Sequence, residues 1–182
     1  MDRHTDSSEM QPITAVLSQG EIIVPAQNDA DSLYQDGYGF RKHGEHCLHP
    51  VEVLYNVGRE KIAVIDEVSN KQVKFTDLLD ILSKNTPTLW TRFIVFNDLR
   101  TRGFIIKIDE DKFKVYERGA DRKKKPNYLI HIFSEGKPQK LSQFLAELKQ
   151  TESYGYEMKV AVVDRRGELV YYSVKETALE KE

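Results

Sequence analysis

A cluster of basic residues lies near the middle of the sequence, where five of them fall within eight positions. They are Arg118, Arg122, Lys123, Lys124 and Lys125. Such a cluster predicts an anionic partner, most readily the phosphate backbone of a nucleic acid, because guanidinium and ammonium groups pair with phosphate oxygens. The alternative is a solvated loop without a ligand, and composition alone leaves both open.

A second group of residues that could do chemistry surrounds the one cysteine of the chain. His43, His46, Cys47 and His49 lie within seven positions of what the sequence indicates to be a loop. Their spacing matches no standard zinc signature and no second ligand cluster follows, so we predict no metal site here. A single cysteine also excludes an intrachain disulfide framework.

The elements that must position the basic cluster are a helix before it and strands on either side. The run from Trp90 to Gly103 carries apolar residues close to helical spacing and ends in arginines and a glycine, which predicts a buried helix with a left-handed C-cap. The segments FIIK, FKVY and NYLIHIF then predict three strands, followed by an amphipathic helix from about Lys140 and two last strands. We interpret His131, inside NYLIHIF, as a strand-face residue and not as a catalyst.

The residues before this helix predict a smaller unit of strands and helices. Strands are expected over 13–17, 21–24, 63–65 and 72–74, and helices over 28–34 (capped by Asn28 or Asp29), from Pro50, and after a cap at Thr76 or Asp77. The whole chain is therefore predicted to be α+β. We divide it into a disordered N-terminus (1–12), a small N-terminal α+β domain (13–84), a C-terminal mixed-sheet domain with flanking helices (85–176) and a loose tail (177–182).

The composition describes an ordinary globular chain. Of its 182 residues 40% are hydrophobic and 31% are charged, and the formal net charge is -2. The N-terminus has no apolar signal segment and no run is long enough to span a bilayer, so we expect a cytoplasmic protein without a membrane partner.

The order of these segments resembles the archaeal tRNA-splicing (tRNA-intron) endonuclease family. The resemblance is carried by WTRFIVFNDLRTRGFIIK, FKVYERG, PNYLIHIF and VAVVDRRGELVYY, and in the first part by GEIIV, DSLYQDGYG and LHPVEVLYNVGREKIAV. It covers about residues 14–174. It implies that the C-terminal domain is nuclease-like, and that the activity is a ribonuclease needing neither metal nor cofactor. This activity cuts precursor tRNA at a bulge-helix-bulge and leaves a 2′,3′-cyclic phosphate and a 5′-hydroxyl.

The resemblance also implies three catalytic positions, of which this sequence keeps one. The family supplies a tyrosine, a histidine and a lysine as base, acid and cation. The tyrosine matches Tyr116 in VYERG. The histidine position falls near Lys125/Pro126, and the lysine position falls on Tyr156, with Lys159 three residues late and therefore on the opposite face of a strand. We interpret Tyr116 as vestigial, because a lone tyrosine with a pKa of about 10 is a poor base.

The resemblance also implies an assembly of four units, which some members of the family divide between catalytic and structural subunits. Together with these departures it predicts a structural subunit that pairs with a catalytic endonuclease paralogue in a heterotetramer and helps to position precursor tRNA. The carboxylates of Asp109-Glu110-Asp111, which replace a glycine-containing loop of the family, would repel phosphate. Two alternatives stay open: an active nuclease in which Tyr116 acts with substitute groups such as Lys125 and Lys159, and an RNA-binding module outside splicing. The family's base-clamping arginine matches Lys149, which joins the basic cluster as a predicted RNA-binding residue.

The last two strands predict a subunit interface. In the family, an acidic loop between these strands inserts into a basic groove of a neighbouring unit. The corresponding loop here is Asp164-Arg165-Arg166-Gly167-Glu168. We expect the following strand at a sheet edge, with Val170, Tyr172 and Val174 on one face that suits packing against a second subunit. The alternative is an ordinary hairpin turn.

Overall fold

The protein is described by a computed structural model that covers residues 11–109, 112–119, 125–138 and 140–177. In chain order its elements are β1 (Ile13–Ser18), β2 (Glu21–Val24), α1 (Gln27–Gln35), β3 (Phe40–Lys42), β4 (Glu45–Leu48), α2 (Pro50–Gly58), β5 (Ile62–Asp66), α3 (Phe75–Ser83), α4 (Leu89–Thr101), β6 (Ile105–Asp109), β7 (Lys112–Tyr116), β8 (Tyr128–Ser134), α5 (Leu141–Ser153), β9 (Glu157–Val163) and β10 (Leu169–Val174). The predicted α+β class is confirmed.

The first sheet has the strand order β3-β4-β2-β1-β5, with β1 and β5 parallel and the other pairs antiparallel. The predicted hairpin at its centre is confirmed, because Gln19 and Gly20 both adopt positive φ, at 49° and 83°, as the tight turn between β1 and β2 requires. Alternate apolar side chains of these strands are buried.

The second sheet has the order β10-β9-β8-β7-β6. Its pairs are antiparallel except β8 and β9, which are parallel and are joined through α5. A parallel pair needs a crossover connection of this kind, whereas only two residues separate β6 from β7 and five separate β9 from β10 in the sequence. Strands β6 and β10 form the two edges of the sheet.

Helix α4 packs against α2 and α3 on one side and against β6, β8 and β9 of the second sheet on the other. The side chain of Phe96 in α4 contacts both sides. The ring meets Tyr55 of α2 at 5.6 Å between centroids and Phe113 of β7 at 5.9 Å, both edge to face. One continuous core of buried apolar residues therefore runs through both sheets.

A buried carboxylate holds the start of α2. Glu52 is 2% exposed, and its Oε2 accepts hydrogen bonds from the backbone N–H of His49 at 2.9 Å and of Gly39 at 3.0 Å. Burial raises the pKa of Glu52 to about 7, which these hydrogen bonds oppose only in part. Position 39 requires glycine, since a Cβ there would lie 2.4 Å from His46 Nε2 and φ is +76°.

Two helix starts differ from the sequence prediction. Helix α1 begins at Gln27, and neither Asn28 nor Asp29 caps it. Helix α3 begins at Phe75 instead of after a cap at Thr76 or Asp77. The Phe75 ring packs against Phe93 of α4 at 5.8 Å, so burial of this ring and not a side-chain cap accompanies the first turn.

One predicted strand is not formed, and one hairpin forms where a loop was predicted. Residues 72–74 contribute only one bridge, from Gln72 to Ile65, because the chain leaves the sheet at once to enter α3. Residues 41–49 were predicted to be a loop, but most of them belong to the hairpin of β3 and β4. The turn of this hairpin is formed at His43 and Gly44, whose φ angles are 50° and 88°. Two consecutive residues with positive φ are typical of a tight hairpin turn.

Some predicted features lie outside the described residues. These are residues 1–10 of the N-terminus, 178–182 of the tail, and Glu110, Asp111, Arg122, Lys123 and Lys124. Within the described ranges, no helix combines the length and the apolar character needed to cross a membrane.

Candidate functional site

The face of the second sheet beneath α5 is polar. In β7, Lys112, Lys114 and Tyr116 alternate with the fully buried Phe113 and Val115, so the first three side chains share one face. His131 of β8 pairs directly with Lys112 and lies on the same face. The other face, with Phe113 and Val115, packs against α4 and belongs to the core.

A cavity of about 390 Å³ lies between this polar face and α5. We call it the tyrosine cavity, after two of its lining residues. Its lining includes Asp109, Lys112, Lys114, Glu147, Tyr154 and Tyr156. Sequence reasoning missed Lys112 and Lys114, although their alternation with Phe113 and Val115 in KFKVY was a usable signal.

The charges around this cavity are paired within the chain. Lys114 Nζ lies 2.6 Å from Asp109 Oδ2, and this hydrogen bond raises the pKa of Lys114. Glu147 Oε2 lies 3.1 Å from His131 Nδ1 and 3.5 Å from Lys112 Nζ. Asp109, predicted to repel phosphate, thus also neutralises a lysine, and His131 is a strand-face residue as predicted.

Tyr116 lies beneath the surface of this face. The residue is 3% exposed, and desolvation raises the pKa of its hydroxyl, an effect that the nearby charge of Lys114 opposes only in part. Lys107 Nζ lies 5.7 Å from the centroid of the ring. A general base must reach the proton that it removes and must lose its own proton readily. Burial and the raised pKa both disfavour the deprotonated form of Tyr116 that a base requires.

The two positions that resemble the family's histidine and lysine meet beside the cavity. Lys125 Nζ lies 5.7 Å from the centroid of the Tyr156 ring. Tyr156 is in turn close enough to Tyr116 to contribute to the raised pKa of that residue. The fold therefore brings Tyr116, Lys125 and Tyr156 into one region, with a lysine at the position that resembles the family's histidine and a tyrosine at the position that resembles its lysine.

Lys159 lies on the opposite face of the sheet. It pairs with Ile130, whose side chain belongs to the core against α4. Its Nζ lies 4.4 Å from the centroid of Tyr128, 3.0 Å from Glu157 Oε1 and 3.2 Å from Ser173 Oγ. The expectation that a shift of three residues moves the lysine away from the Tyr116 face is confirmed.

The predicted RNA-binding residues are only partly described. Arg118 and Lys125 are exposed, and Lys125 approaches the ring of Tyr156, which lines the cavity. Lys149 on α5 is exposed, and its Nζ lies 3.6 Å from Glu176 Oε1. Such an exposed pair holds the lysine only weakly, so it stays available to an anionic partner.

The loop between β9 and β10 is tied internally. Asp164 Oδ1 accepts hydrogen bonds from the backbone N–H of Arg166 and Glu168, each at 2.8 Å. The backbone N–H of Arg165 donates to Glu135 Oε2 at 3.0 Å, and Gly167 has a φ of +84°. One oxygen of Asp164 thus stabilises the turn itself, which the predicted interface role did not include.

Strand β10 lies at an edge of the second sheet, as predicted. Val170 and Tyr172 are 49% and 55% exposed, and Val174 is half-buried. The alternate residues turn inward, where the Tyr171 hydroxyl donates to Asp98 Oδ2 of α4 at 2.8 Å. The strand is therefore anchored by one face and presents an apolar and aromatic stripe on the other.

The histidine and cysteine cluster is part of the fold of the first sheet. His46 and Cys47 are buried in β4, not in a loop. His49 packs on Phe40 at 4.5 Å between ring centroids, and burial lowers the pKa of His49 to about 4. Across the described part of the chain, no group of three or more His, Cys, Asp or Glu residues could hold a metal ion.

Comparisons with known proteins all point to the same family. Residues 89–171 match the family described as "tRNA intron endonuclease, catalytic C-terminal domain". The chain is 29% identical over 165 residues to the tRNA-splicing endonuclease of Methanococcus vannielii, covering 89% of this chain and 93% of that protein. It is 27% identical over 169 residues to that of Pyrococcus horikoshii, covering 91% and 96%.

A third relative is longer than this chain. The tRNA-splicing endonuclease of Methanococcoides burtonii is 32% identical over 154 residues, which cover 84% of this chain and 43% of the relative. The resemblance to the archaeal tRNA-splicing endonuclease family is confirmed by these matches, which extend over most of the chain.

Proposed function

We propose that this chain, whose residues 89–171 match the tRNA intron endonuclease family, is a structural subunit of a tRNA-splicing endonuclease. It pairs with a catalytic paralogue in a heterotetramer and supports cleavage of bulge-helix-bulge introns in precursor tRNA. The observation that carries the proposal is the state of Tyr116, which is 3% exposed and has a raised pKa.

Two further observations support a non-catalytic role. Tyr156 and Lys125 occupy the positions that resemble the family's lysine and histidine, so both residues that would act with Tyr116 in the family are substituted. Two lysines on the Tyr116 face are held by carboxylates, Lys114 by Asp109 and Lys112 by Glu147. A scissile phosphate would have to displace these anions to pair with Lys112 or Lys114.

An active nuclease is the second candidate, and the approach of Lys125 to the Tyr156 ring is the observation that favours it. Lys159 does not serve this alternative, because it lies on the face opposite Tyr116. An RNA-binding module outside splicing is a third, weaker candidate that would use the basic cluster alone, without a nuclease partner.

The domain boundaries, the RNA-binding residues and the location in this proposal are those predicted from the sequence. We assign 13–84 to an N-terminal α+β domain and 85–176 to the endonuclease-like domain, with the basic cluster and Lys149 at precursor tRNA. We place the protein in the cytoplasm, as the sequence predicts.

The deciding experiment is a cleavage assay on a bulge-helix-bulge RNA. The purified chain, a candidate catalytic paralogue and their mixture are compared at equal concentrations. We expect no cleavage by the chain alone and a gain by the mixture. Cleavage by the chain alone, abolished by Tyr116→Phe, would instead establish the active nuclease. Binding without a gain in any mixture would favour the module outside splicing.

The interface has a separate test. Val170→Asp/Tyr172→Asp places charges on the exposed stripe of β10, and we expect it to prevent the heterotetramer in sedimentation measurements. Val68→Asp is the matched control, because Val68 is 93% exposed and lies far from β10 in the sequence. Glu168→Ala tests the loop without removing the turn-stabilising carboxylate of Asp164. An intact complex with both variants would contradict this interface.

A further inference from the structure

Two tyrosine rings stand at the mouth of the tyrosine cavity. Tyr154 and Tyr156 have ring centroids 5.9 Å apart with an angle of 35° between the planes. Tyr154 is 63% exposed and Tyr156 is half-buried. An aromatic ring this exposed contributes little to the core and leaves much of its surface open to a ligand.

The chain between the rings is shaped to bring a cation beside them. Gly155 has a φ of +69°, and a Cβ at this position would lie 3.0 Å from Lys125 Nζ. This approach places Lys125 Nζ 5.7 Å from the centroid of Tyr156. The absence of a side chain at position 155 thus allows the turn, and it also leaves room for the ammonium group next to the ring.

The cavity behind the rings offers hydrogen-bonding groups at its wall. Gln150 and Asp109 line it together with Lys114. Its volume of about 390 Å³ falls within the range of pockets that hold small ligands. An aromatic platform, an adjacent cation and polar groups at the wall are the combination by which proteins hold an unpaired nucleotide, since the base stacks, its phosphate meets the cation and its edge is hydrogen-bonded.

We propose that Tyr154 and Tyr156 form a stacking site for one unpaired base of RNA, with Lys125 at the phosphate of that nucleotide. The inference rests on the proposed function for its choice of RNA and deepens it. The position that resembles the family's lysine has then exchanged a cation at the phosphate for an aromatic ring that binds a base.

The test uses the full chain and two RNA probes that carry the fluorescent base 2-aminopurine. One is a bulge-helix-bulge RNA with the fluorescent base in a bulge, and the other is a short single strand. A fully paired duplex of the same sequence is the reference. Stacking on tyrosine quenches this fluorophore, so we expect quenching when the wild-type chain binds either probe and none with the duplex.

The substitutions separate stacking from charge. Tyr154→Leu and Tyr156→Leu should weaken binding of both probes about 5- to 150-fold, the range that corresponds to losing one stacked base, and should remove the quenching. Tyr156→Phe keeps the ring and should bind as the wild type does. Tyr34→Leu is the matched control, because Tyr34 is 52% exposed and belongs to α1 in the first part of the chain.

Each outcome decides the question. Unchanged affinity and quenching in both leucine variants would overturn the inference, as would a wild-type chain that quenches neither probe. If Tyr156→Leu loses its circular dichroism signal, Tyr154→Leu at the exposed turn position decides alone. Tyrosine-dependent binding of the single strand without preference for the bulge-helix-bulge over the duplex would leave the stacking site standing and count against the proposed function.

Discussion

Glu52 and Glu147 are two carboxylates in different surroundings. Glu52 is buried in the first part of the chain, and its Oε2 accepts two backbone hydrogen bonds. Glu147 lines the tyrosine cavity, and its partners are the side chains His131 and Lys112. A carboxylate bonded to backbone N–H groups stabilises one arrangement of the chain. A carboxylate bonded to side chains beside a cavity can exchange those partners with a ligand, which is the property of a binding site.

The largest effect is expected from removing the first carboxylate. Glu52→Ala leaves the N–H groups of Gly39 and His49 without their acceptor, and we expect the free energy of unfolding to fall by about 2–4 kcal/mol at pH 6. Urea denaturation measures this loss. Glu67→Ala, at an exposed glutamate, should change stability by less than about 0.5 kcal/mol. Equal losses in the two variants would remove the structural role assigned to Glu52.

The pH dependence of stability sharpens the same comparison. The folded pKa of Glu52 is about 7 against an ordinary value of 4.5, so the folded state binds this proton more tightly than the unfolded state does. The contribution of Glu52 to stability is therefore largest below pH 4.5 and is lost as the pH rises to 7.

Glu52→Gln keeps an acceptor oxygen and removes the titration. We expect the stability of the variant relative to the wild type to rise by about 2–3 kcal/mol between pH 5 and pH 8. Since His49 titrates in both proteins, its contribution cancels in the difference. Urea denaturation curves at the two pH values give the result, and a difference that does not change with pH would contradict the buried, protonated state.

Glu147→Gln tests the second carboxylate, with a smaller effect on stability. We expect a loss of at most about 1 kcal/mol, because the pair with Lys112 is partly exposed to solvent. Releasing the lysine should tighten RNA binding several-fold and steepen the slope of log affinity against log salt by about 1. Glu152→Gln on the same helix is the control. An unchanged slope would mean that phosphate does not reach Lys112.

The smallest effect is expected at Tyr116. Tyr116→Phe removes a hydroxyl that is buried and has a raised pKa, so cleavage of precursor tRNA by the assembled complex should change by less than about 2-fold. Single-turnover cleavage with the catalytic partner present measures it. A loss of 100-fold or more would show that this tyrosine still acts as a base.

Local patterns predicted most of the second sheet but less of the site. The alternation in FKVY and NYLIHIF, and the glycine after Arg102, were sufficient for β7, β8 and the end of α4. The turn at His43-Gly44 was not predicted, because His43 was interpreted only as a possible metal ligand. Its positive φ is typical of a residue in a tight turn. Glu147 could not be assigned, because its pairing with His131 depends on how α5 crosses the sheet.

The sequence predicted only part of the site formed by Tyr154 and Tyr156. The comparison with the family drew attention to Tyr156 as a substituted lysine, but nothing in the spacing of Tyr-Gly-Tyr indicated that Lys125 would approach it. Such contacts join segments that are about 30 residues apart and depend on the register of β8 against β9.

Helix α4 has a consequence for any attempt to divide this protein. Because Phe96 packs against Tyr55 on one side and Phe113 on the other, a polypeptide that stops before Leu89 would leave the apolar surface of α2 uncovered. Such a fragment would need its other half to be supplied in trans, as in split-reporter systems. The joint between 84 and 89 is therefore suited to fragment complementation, in which recovery of the fold reports that the two pieces have met.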